Sequence, residues 1–250
     1  MTKLHLATAA VAALALVTPA QGQRTAGPSA AIRAAVADPT RPAEDAGRDG
    51  GRHPAEILAF AGVRPGLRIV ELAPGSGYYT RLLARAVGPR GHVYAVVSPG
   101  FAARPASIDR FRRLVAGYPN VEIVVSDIRT LTMARTVDIV WTSENYHDFH
   151  NGDGADINAL NRAVFGALRP GGVYYVEDHA APGTGVTATS TLHRIDPQAV
   201  RDEVTAAGFR LDAASPLLAN PADPHTARVT DPSIRGRTDR FAMRFRRPAR

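Results

Sequence analysis

The feature that most constrains the fold of this 250-residue chain is a regular alternation between short apolar segments and amphipathic ones. From about residue 53, runs of aliphatic residues close on Gly, Pro, Ser or Asp, and longer segments with apolar residues at helical spacing follow them. Strands without a polar face are typical of a parallel sheet that is covered on both sides. The pattern therefore predicts one α/β domain, an open and mostly parallel sheet with helices on both faces.

Turn residues set the limits of the predicted elements. The predicted strands are 67–72, 92–97, 121–126, 137–142, 173–177, 209–213 and 240–245. The predicted helices are 54–61, 78–87, 105–117, 154–168 and 197–207, and a long polar loop covers 216–236. The α/β domain is expected to span residues 53–250.

The first 22 residues resemble a secretory signal peptide. Lys3 and His5 precede an apolar run over 6–17, and Ala20 and Gly22 offer a small-residue exit. The run is shorter than the ~20 residues of a membrane-spanning helix. The protein is therefore expected to be exported, to the periplasm or beyond, with no membrane contact after cleavage. The chain has no cysteine, which excludes a disulfide framework, a zinc–thiolate site and a thiol nucleophile.

Residues 23–52 are rich in Ala, Pro, Gly, Asp and Arg, and they are predicted to form a linker or a lid segment. Charges of alternating sign recur there at spacings of three or four residues. On a helix such charges would form local ion pairs. Alternatively, the strip would fold over a polar ligand.

A glycine loop follows the first predicted strand, with Gly75 and Gly77 between Glu71 and Thr80. A strand that ends in glycines and opens a helix presents backbone N–H groups to a ligand above the sheet. The dinucleotide fingerprint requires a third glycine where this chain has Thr80, which disfavours NAD. A nucleotide triphosphate loop would require a lysine, and the only lysine of the chain is Lys3.

Four segments, taken in order and spacing, resemble the class I S-adenosylmethionine-dependent methyltransferase family. They are 70–77, 91–96, 126–127 and 168–172. The resemblance implies a Rossmann-like, seven-stranded sheet with an antiparallel last strand. It also implies S-adenosylmethionine as the cofactor and methyl transfer to a small-molecule acceptor. The Arg- and Asp-rich lead-in resembles an exported bacterial subgroup of predicted methyltransferases.

The resemblance also implies roles for cofactor-binding residues. Glu71 matches the acid near the methionine amino group, and Ala73, Gly75 and Gly77 match the loop under the methionine and ribose. Asp127 matches the residue that binds the adenine amino group. At the end of the second strand the family usually has an acid that accepts both ribose hydroxyls. This chain has Ser98, which offers one hydrogen bond and would weaken binding about ten- to a hundredfold.

Polar residues follow the fourth and fifth strands, where ligands bind in open α/β sheets. His147 is the candidate general base, because histidine accepts protons near neutral pH. Asp148 or Glu144 is expected to orient it. Asn145 and Tyr146 are expected to line the methyl-transfer cleft.

Beyond the fifth strand, His179 is a further candidate for substrate binding. Histidines and carboxylates of this region could supply metal ligands, but no pair has the spacing of a helical metal motif, so no metal site is predicted. They are His147, His150, His179, His193, Glu144, Asp148, Glu177 and Asp178.

An alternative function stays open: a methyltransferase-fold protein that does not methylate, either an acid–base isomerase or lyase or a small-molecule binding protein in the periplasm. The net charge of +7 invites a nucleic-acid partner. However, the arginines are scattered rather than arranged in a stripe, and aromatic residues make up 6% of the chain, so none is expected. Nothing in the sequence indicates an oligomeric state.

Overall fold

The computed structural model describes residues 27–249, and the predicted signal peptide lies outside them. Seven strands occur in the described chain: β1 (Arg68–Leu72), β2 (His92–Val97), β3 (Val121–Val125), β4 (Val137–Ser143), β5 (Leu168–His179), β6 (Arg210–Ser215) and β7 (Arg240–Arg246). The described helices are α1 (Ala30–Val36), α2 (Ala43–Ala46), α3 (Asp49–Arg52), α4 (Pro54–Ala61), α5 (Tyr78–Val87), α6 (Pro99–Ala102), α7 (Pro105–Val115), α8 (Ile157–Ala167) and α9 (Pro197–Ala206). Within the described range, no helix is both long enough and apolar enough to cross a bilayer.

All seven strands belong to one sheet in the order β3-β2-β1-β4-β5-β7-β6. Strands β1 to β5 pair in parallel, and β7 runs antiparallel to both β5 and β6. The predicted Rossmann-like α/β fold with an antiparallel last strand is confirmed. The chain leaves β1 toward β2 on one side and reaches β4 on the other, so a crevice opens above the carboxyl end of β1.

Alternate residues of each strand point to opposite faces of the sheet, and each face has its own core. Ile69 packs with the α4 and α5 layer, which includes Leu58 and Leu82. The neighbouring Val70 packs on the other face with the α8 and α9 layer, which includes Val164. Covering both faces leaves the strand ends as the place where polar side chains gather.

The segment before α4 differs from the predicted linker. Its described part forms α1 to α3, and Ile32 and Ala35 of α1 are buried in the core that contains α4 and α5. Asp45 of α2 is buried and paired with Arg81 of α5. The charges therefore pair with distant residues rather than only along one helix. Sequence reasoning missed this because the apolar face of α1 is very short.

Candidate functional site

A cleft of about 790 Å³ lies at the crevice beside β1, and we refer to it as the switch-point cleft. The ends of β1, β2 and β4 and the turn after β3 contribute to its walls. The loop between β1 and α5 turns through left-handed backbone at Ala73, Gly75 and Gly77, with φ of 48°, 58° and 79°. A left-handed conformation is uncommon for alanine and is found disproportionately at functional sites.

Asn145, directly after β4, holds this loop in place. Its Nδ2 donates hydrogen bonds to the carbonyl oxygens of Leu72 and Ala73 at 3.1 and 3.0 Å. The loop conformation is therefore tied to the end of β4. Asn145 itself lines the switch-point cleft.

Five of the six candidate cofactor-binding residues line the switch-point cleft: Glu71, Ala73, Gly75, Ser98 and Asp127. Gly77 is not among the lining residues. A Cβ at Gly77 would meet the side chains of Arg81 and Phe111 at 2.9 and 3.1 Å, so its role is to let α5 begin close to its neighbours.

Glu71 is buried and accepts a hydrogen bond from Thr80 Oγ1 at 2.6 Å. Burial disfavours the carboxylate and raises the pKa of Glu71 to about 8, although the Thr80 hydrogen bond and the Arg81 charge oppose the shift. Glu71 thus enters the cleft as a largely neutral acid at neutral pH. A cationic group brought beside it would favour the carboxylate form.

The other end of the cleft is less charged than the family pattern implies. Ser98 Oγ accepts the Phe101 N–H at 3.1 Å, which leaves its own proton free to donate. Asp127 contacts Arg129 through both carboxylate oxygens, and this hydrogen bonding lowers its pKa. Asp127 therefore remains an acceptor but already has a cationic partner.

A second cleft of about 610 Å³ adjoins the first, and we refer to it as the arginine cleft. The two clefts share Arg48, Arg52, Ser76 and Glu144 among their lining residues. Other charged or ionisable side chains also line the arginine cleft: Glu44, Asp45, Arg110, His179, Arg235 and Arg240.

Glu144 is the centre of an ion-pair network rather than a partner of His147. It pairs with Arg52, and its Oε1 lies 2.7 Å from Nη1 of Arg240. Burial alone would raise the pKa of Glu144, but these arginines outweigh that effect and lower it to about 2. Nη1 of Arg240 also lies 3.1 Å from Oε1 of the fully buried Glu177. This corrects the predicted orienting role of Glu144.

His147 is buried and lines neither cleft. Its Nδ1 lies 2.8 Å from Oδ1 of Asp178, and its Nε2 lies 3.3 Å from Oδ1 of Asp148. Burial opposes a charge on the ring, but hydrogen bonds to both carboxylates outweigh it and raise the pKa of His147 to about 10. Asp178 is thus the main orienting partner, which sequence reasoning did not assign. Asp148 alone of these residues reaches the switch-point cleft.

Of the two remaining candidate substrate-binding residues, Tyr146 and His179, only His179 lines a cleft. Tyr146 is buried, and its hydroxyl contacts Glu203 and Asn161 at 3.1 and 2.9 Å, so it does not line the cleft as predicted. His179 lines the arginine cleft, with Nδ1 2.8 Å from the Thr238 hydroxyl. Burial lowers the pKa of His179 to about 4, so the ring is neutral at pH 7.

Sequence reasoning did not assign the arginines of the two clefts to the site. Arg48 and Arg52 lie in the segment that was predicted to be a linker or a lid. The alternating charges of this segment, interpreted as a strip that folds over a polar ligand, were the one sequence signal that pointed to them. Arg240 begins β7, and its antiparallel pairing with His179 brings it to the end of β5. That register depends on tertiary structure and left no local pattern.

Comparison with known proteins assigns the domain to a class. Residues 69–172 match the family model of a methyltransferase domain, and this range begins within β1 and includes the glycine loop and β2 to β4. Together with the sheet order, the match shows that the chain contains a methyltransferase domain with the fold of the class I S-adenosylmethionine-dependent enzymes.

Individual relatives resemble parts of the chain. A protein-L-isoaspartate O-methyltransferase from Ignicoccus hospitalis is 38% identical over 74 residues, which is 29% of this chain and 33% of that protein. The chain thus matches only about a third of the length of such curated relatives.

Solved structures share the fold over most of the chain. The N-methyltransferase NodS from Bradyrhizobium japonicum has 15% identity and a TM-score of 0.58, covering 82% of this chain and 99% of that one. The [4+2]-cyclase SpnF has 18% identity and a TM-score of 0.56, covering 83% and 82%. At such identities the likeness concerns the fold.

Proposed function

We propose that this protein transfers a methyl group from S-adenosylmethionine to a small acceptor that carries a carboxylate. The observation that carries the proposal is the shared wall of the two clefts, which Arg48, Arg52, Ser76 and Glu144 line from both sides. Methyl transfer requires the acceptor beside the methyl donor, because the reacting atoms have to meet in line. Two adjoining chambers of ordinary ligand size satisfy that requirement.

The residues of the switch-point cleft fit the cofactor. When bound, S-adenosylmethionine supplies an electrophilic methyl group on a sulfonium sulfur. Glu71 would hold the methionine ammonium group, Ser98 a ribose hydroxyl and Asp127 the adenine amino group. A Cβ built at Gly75 has no atom within 4 Å, so this loop leaves open space where a ligand can approach the backbone.

The charge of the arginine cleft supports an anionic acceptor. Glu144 and Glu177 compensate Arg52 and Arg240, whereas Arg48 and Arg235 have no ion-pair partner among residues 27–249. These two guanidinium groups would bind and orient a carboxylate. The names of the curated relatives, which are O-methyltransferases, agree with an oxygen acceptor.

A carboxylate acceptor also agrees with the position of the candidate base. A carboxylate is already ionised at pH 7, so its oxygen requires no proton acceptor. One oxygen forms the new bond to the methyl carbon as the carbon–sulfur bond breaks, which gives a methyl ester and a neutral thioether. The predicted role of His147 as a base would apply to an alcohol or phenol acceptor.

Titration calorimetry with S-adenosylmethionine tests cofactor use through a matched pair of variants. Gly75 and Gly62 both have left-handed backbone and open space at the Cβ position, but only Gly75 lines the cleft. We expect wild type and Gly62→Asn to bind with a dissociation constant well below ~1 mM and Gly75→Asn to bind at least tenfold more weakly. Absent or millimolar binding by wild type would overturn the proposal and favour the non-methylating alternative.

The acceptor class is tested separately with methyl-labelled cofactor and a panel of small carboxylates, alcohols and amines. A carboxylate acceptor gives a base-labile methyl ester, whereas a base-stable product would contradict this part of the proposal. Arg48→Ala should raise the acceptor KM about tenfold, because a charged hydrogen bond contributes about 1.5–3 kcal/mol. Arg64→Ala removes an exposed arginine outside both clefts and is the control.

We further propose that the protein is exported, on the strength of the basic start and apolar run in residues 1–22. Fusion of the full chain to a reporter that is active only outside the cytoplasm should give activity, and removal of residues 1–22 should abolish it. Reporter activity that is independent of this segment would contradict export through a signal peptide. Export would place cofactor use in a compartment away from the cytoplasmic source of S-adenosylmethionine.

A further inference from the structure

Three potential ligand atoms meet beside the switch-point cleft, although they come from two separate segments. His147 Nε2 lies 3.1 Å from His193 Nδ1, and Asp148 Oδ1 lies 3.3 Å from each of these nitrogens. Ligand atoms about 2.1 Å from one ion, at tetrahedral or octahedral angles, lie roughly 3.0–3.4 Å apart. We propose that His147, Asp148 and His193 bind a divalent first-row transition-metal ion.

The buried carboxylate of Asp178 prepares His147 for this role. Asp178 Oδ1 lies 2.8 Å from His147 Nδ1, and its Oδ2 accepts the His147 backbone N–H at 2.7 Å. Asp178 holds the proton on Nδ1, so an ion that displaces the Nε2 proton meets the lone pair of Nε2 directed into the cluster. A carboxylate behind a ligating histidine is the usual arrangement in protein metal sites, because it fixes the tautomer and the ring orientation.

The backbone of His193 and a neighbouring ion pair hold this residue beside His147. Its φ of 54° is left-handed, which costs of order 1–3 kcal/mol for a residue with a side chain and persists only where surrounding structure holds it. The next residue, Arg194, is fully buried, and its Nη1 lies 2.7 Å from Oδ2 of the fully buried Asp223. This ion pair holds the loop that brings His193 to His147.

The donor set indicates the kind of ion and the kind of site. Two imidazoles and one carboxylate favour ions such as Zn²⁺, Co²⁺, Ni²⁺ or Fe²⁺ over Mg²⁺ and Ca²⁺, which prefer oxygen ligands. Three protein ligands leave at least one coordination position open. Asp148 is half-exposed and lines the switch-point cleft, so the open side is accessible from the place where small molecules would bind.

One contact competes with the metal. Arg228 Nη2 lies 2.5 Å from His193 Nε2, and a guanidinium donating to Nε2 requires the proton of a neutral ring to be on Nδ1. A metal on Nδ1 requires the opposite tautomer. Arg228 is exposed and has room to move away when an ion binds. Arg228→Ala should therefore tighten metal binding, because it removes both a positive charge and the competing hydrogen bond.

The test is direct metal titration of the full chain after treatment with a chelator, and it requires no methyl transfer. Zn²⁺ is followed by calorimetry, and Co²⁺ by its visible ligand-field absorption. We expect one ion per chain for wild type, with binding at least ~100-fold weaker in His193→Ala and Asp148→Asn. Both side chains are partly exposed, so the variants should fold, and circular dichroism checks this.

His225→Ala is the matched control. His225 has the same left-handed backbone as His193, with φ of 59°, a similar exposure of 29% against 27%, and a carboxylate partner in Asp239. It lies outside the cluster and should leave metal affinity unchanged. Absence of metal binding by wild type, or equal losses in His193→Ala and His225→Ala, would overturn the proposal. A failure of cofactor binding would not affect this result, so the two proposals fail separately.

Discussion

Glu71 and Glu144 line the same cleft, but their pKa values shift in opposite directions. For both residues burial is the largest influence and disfavours the charged form. Glu71 has a hydroxyl partner in Thr80, and its pKa rises to about 8, whereas Glu144 has Arg52 and Arg240, and its pKa falls to about 2. At neutral pH the cleft therefore combines a largely neutral acid with a permanent carboxylate.

The raised pKa of Glu71 has a consequence for stability without ligand. Between pH 4.5, its ordinary pKa, and pH 8, the folded chain holds a proton that the unfolded chain has lost. Folding is then disfavoured as pH rises through this window, by an amount on the order of 4 kcal/mol in total. Glu71→Gln retains a neutral acceptor for Thr80 and should remove this dependence.

Urea unfolding at pH 5, 6.5 and 8 measures the effect. The free energy of unfolding should fall less with pH in Glu71→Gln than in wild type, so that the variant is the more stable protein at pH 8. Glu56→Gln, in an exposed position of α4, is the control and should follow wild type. Parallel pH profiles for wild type and Glu71→Gln would contradict the raised pKa.

At this scale the sequence predicted positions better than contacts. Glu71, Ser98 and Asp127 were placed at strand ends by the resemblance, and all three line the cleft. The direction of the His147 ring was not predictable, because it depends on Asp178, which lies 31 residues further along the chain. Such pairs form only once β4 and β5 lie side by side.

Among the elements, the short helices α1 to α3 hold the arginines of the clefts against the domain. Asp45 of α2 and Arg81 of α5 form a buried ion pair, with Nη2 2.5 Å from Oδ2. Arg81 also donates to the carbonyl oxygen of Ser76 in the glycine loop at 2.9 Å. The same guanidinium therefore links the leading helices to the floor of the candidate cofactor site.

Asp45→Ala should destabilise the protein by about 3–5 kcal/mol, because it leaves a buried guanidinium without its carboxylate. Hydrogen exchange should show that residues 30–52 lose protection first. Glu44→Ala is the matched control, since the exposed Glu44 lies 3.6 Å from Arg110 and such pairs contribute about 0–1 kcal/mol. The double variant Asp45→Ala/Arg81→Ala should recover part of the loss. Equal stability of Asp45→Ala and Glu44→Ala would show that the buried pair does not hold the segment.

Element boundaries were predictable where local chemistry marks them. Residues 54–61 form a helix that begins at Pro54 and ends at Gly62, which has left-handed backbone. Residues 78–87 form a helix between two glycines, Gly77 before its first residue and Gly88 after its last. Residues 30–36 gave no such signal, because only two apolar positions, Ile32 and Ala35, face the core. Their burial depends on the surface of α5, which a local pattern does not describe.

Across the whole molecule, β7 connects the end of the chain with its beginning. Arg240, the first residue of this strand, pairs with Glu144 after β4 and Glu177 in β5, and it donates to the carbonyl oxygen of Gly51 in α3. The antiparallel last strand thus completes the sheet and brings a cation to two buried carboxylates. Neither carboxylate would be stable as an anion there without a cation nearby.

Arg240→Ala should lower the free energy of unfolding by about 3–5 kcal/mol, which corresponds to a fall in Tm of roughly 6–20 °C for a chain of this size. Arg246→Ala, at the other end of β7, is the control. Arg246 is half-exposed, with Nε 3.0 Å from Asp212, and should contribute about 0–1 kcal/mol. Adding Glu177→Gln to Arg240→Ala removes the buried carboxylate that has lost its ion-pair partner and should restore part of the Tm. Calorimetric melting of wild type, the two single variants and the double variant measures these differences in Tm. A double variant no more stable than Arg240→Ala would show that Arg240 acts through packing rather than through charge.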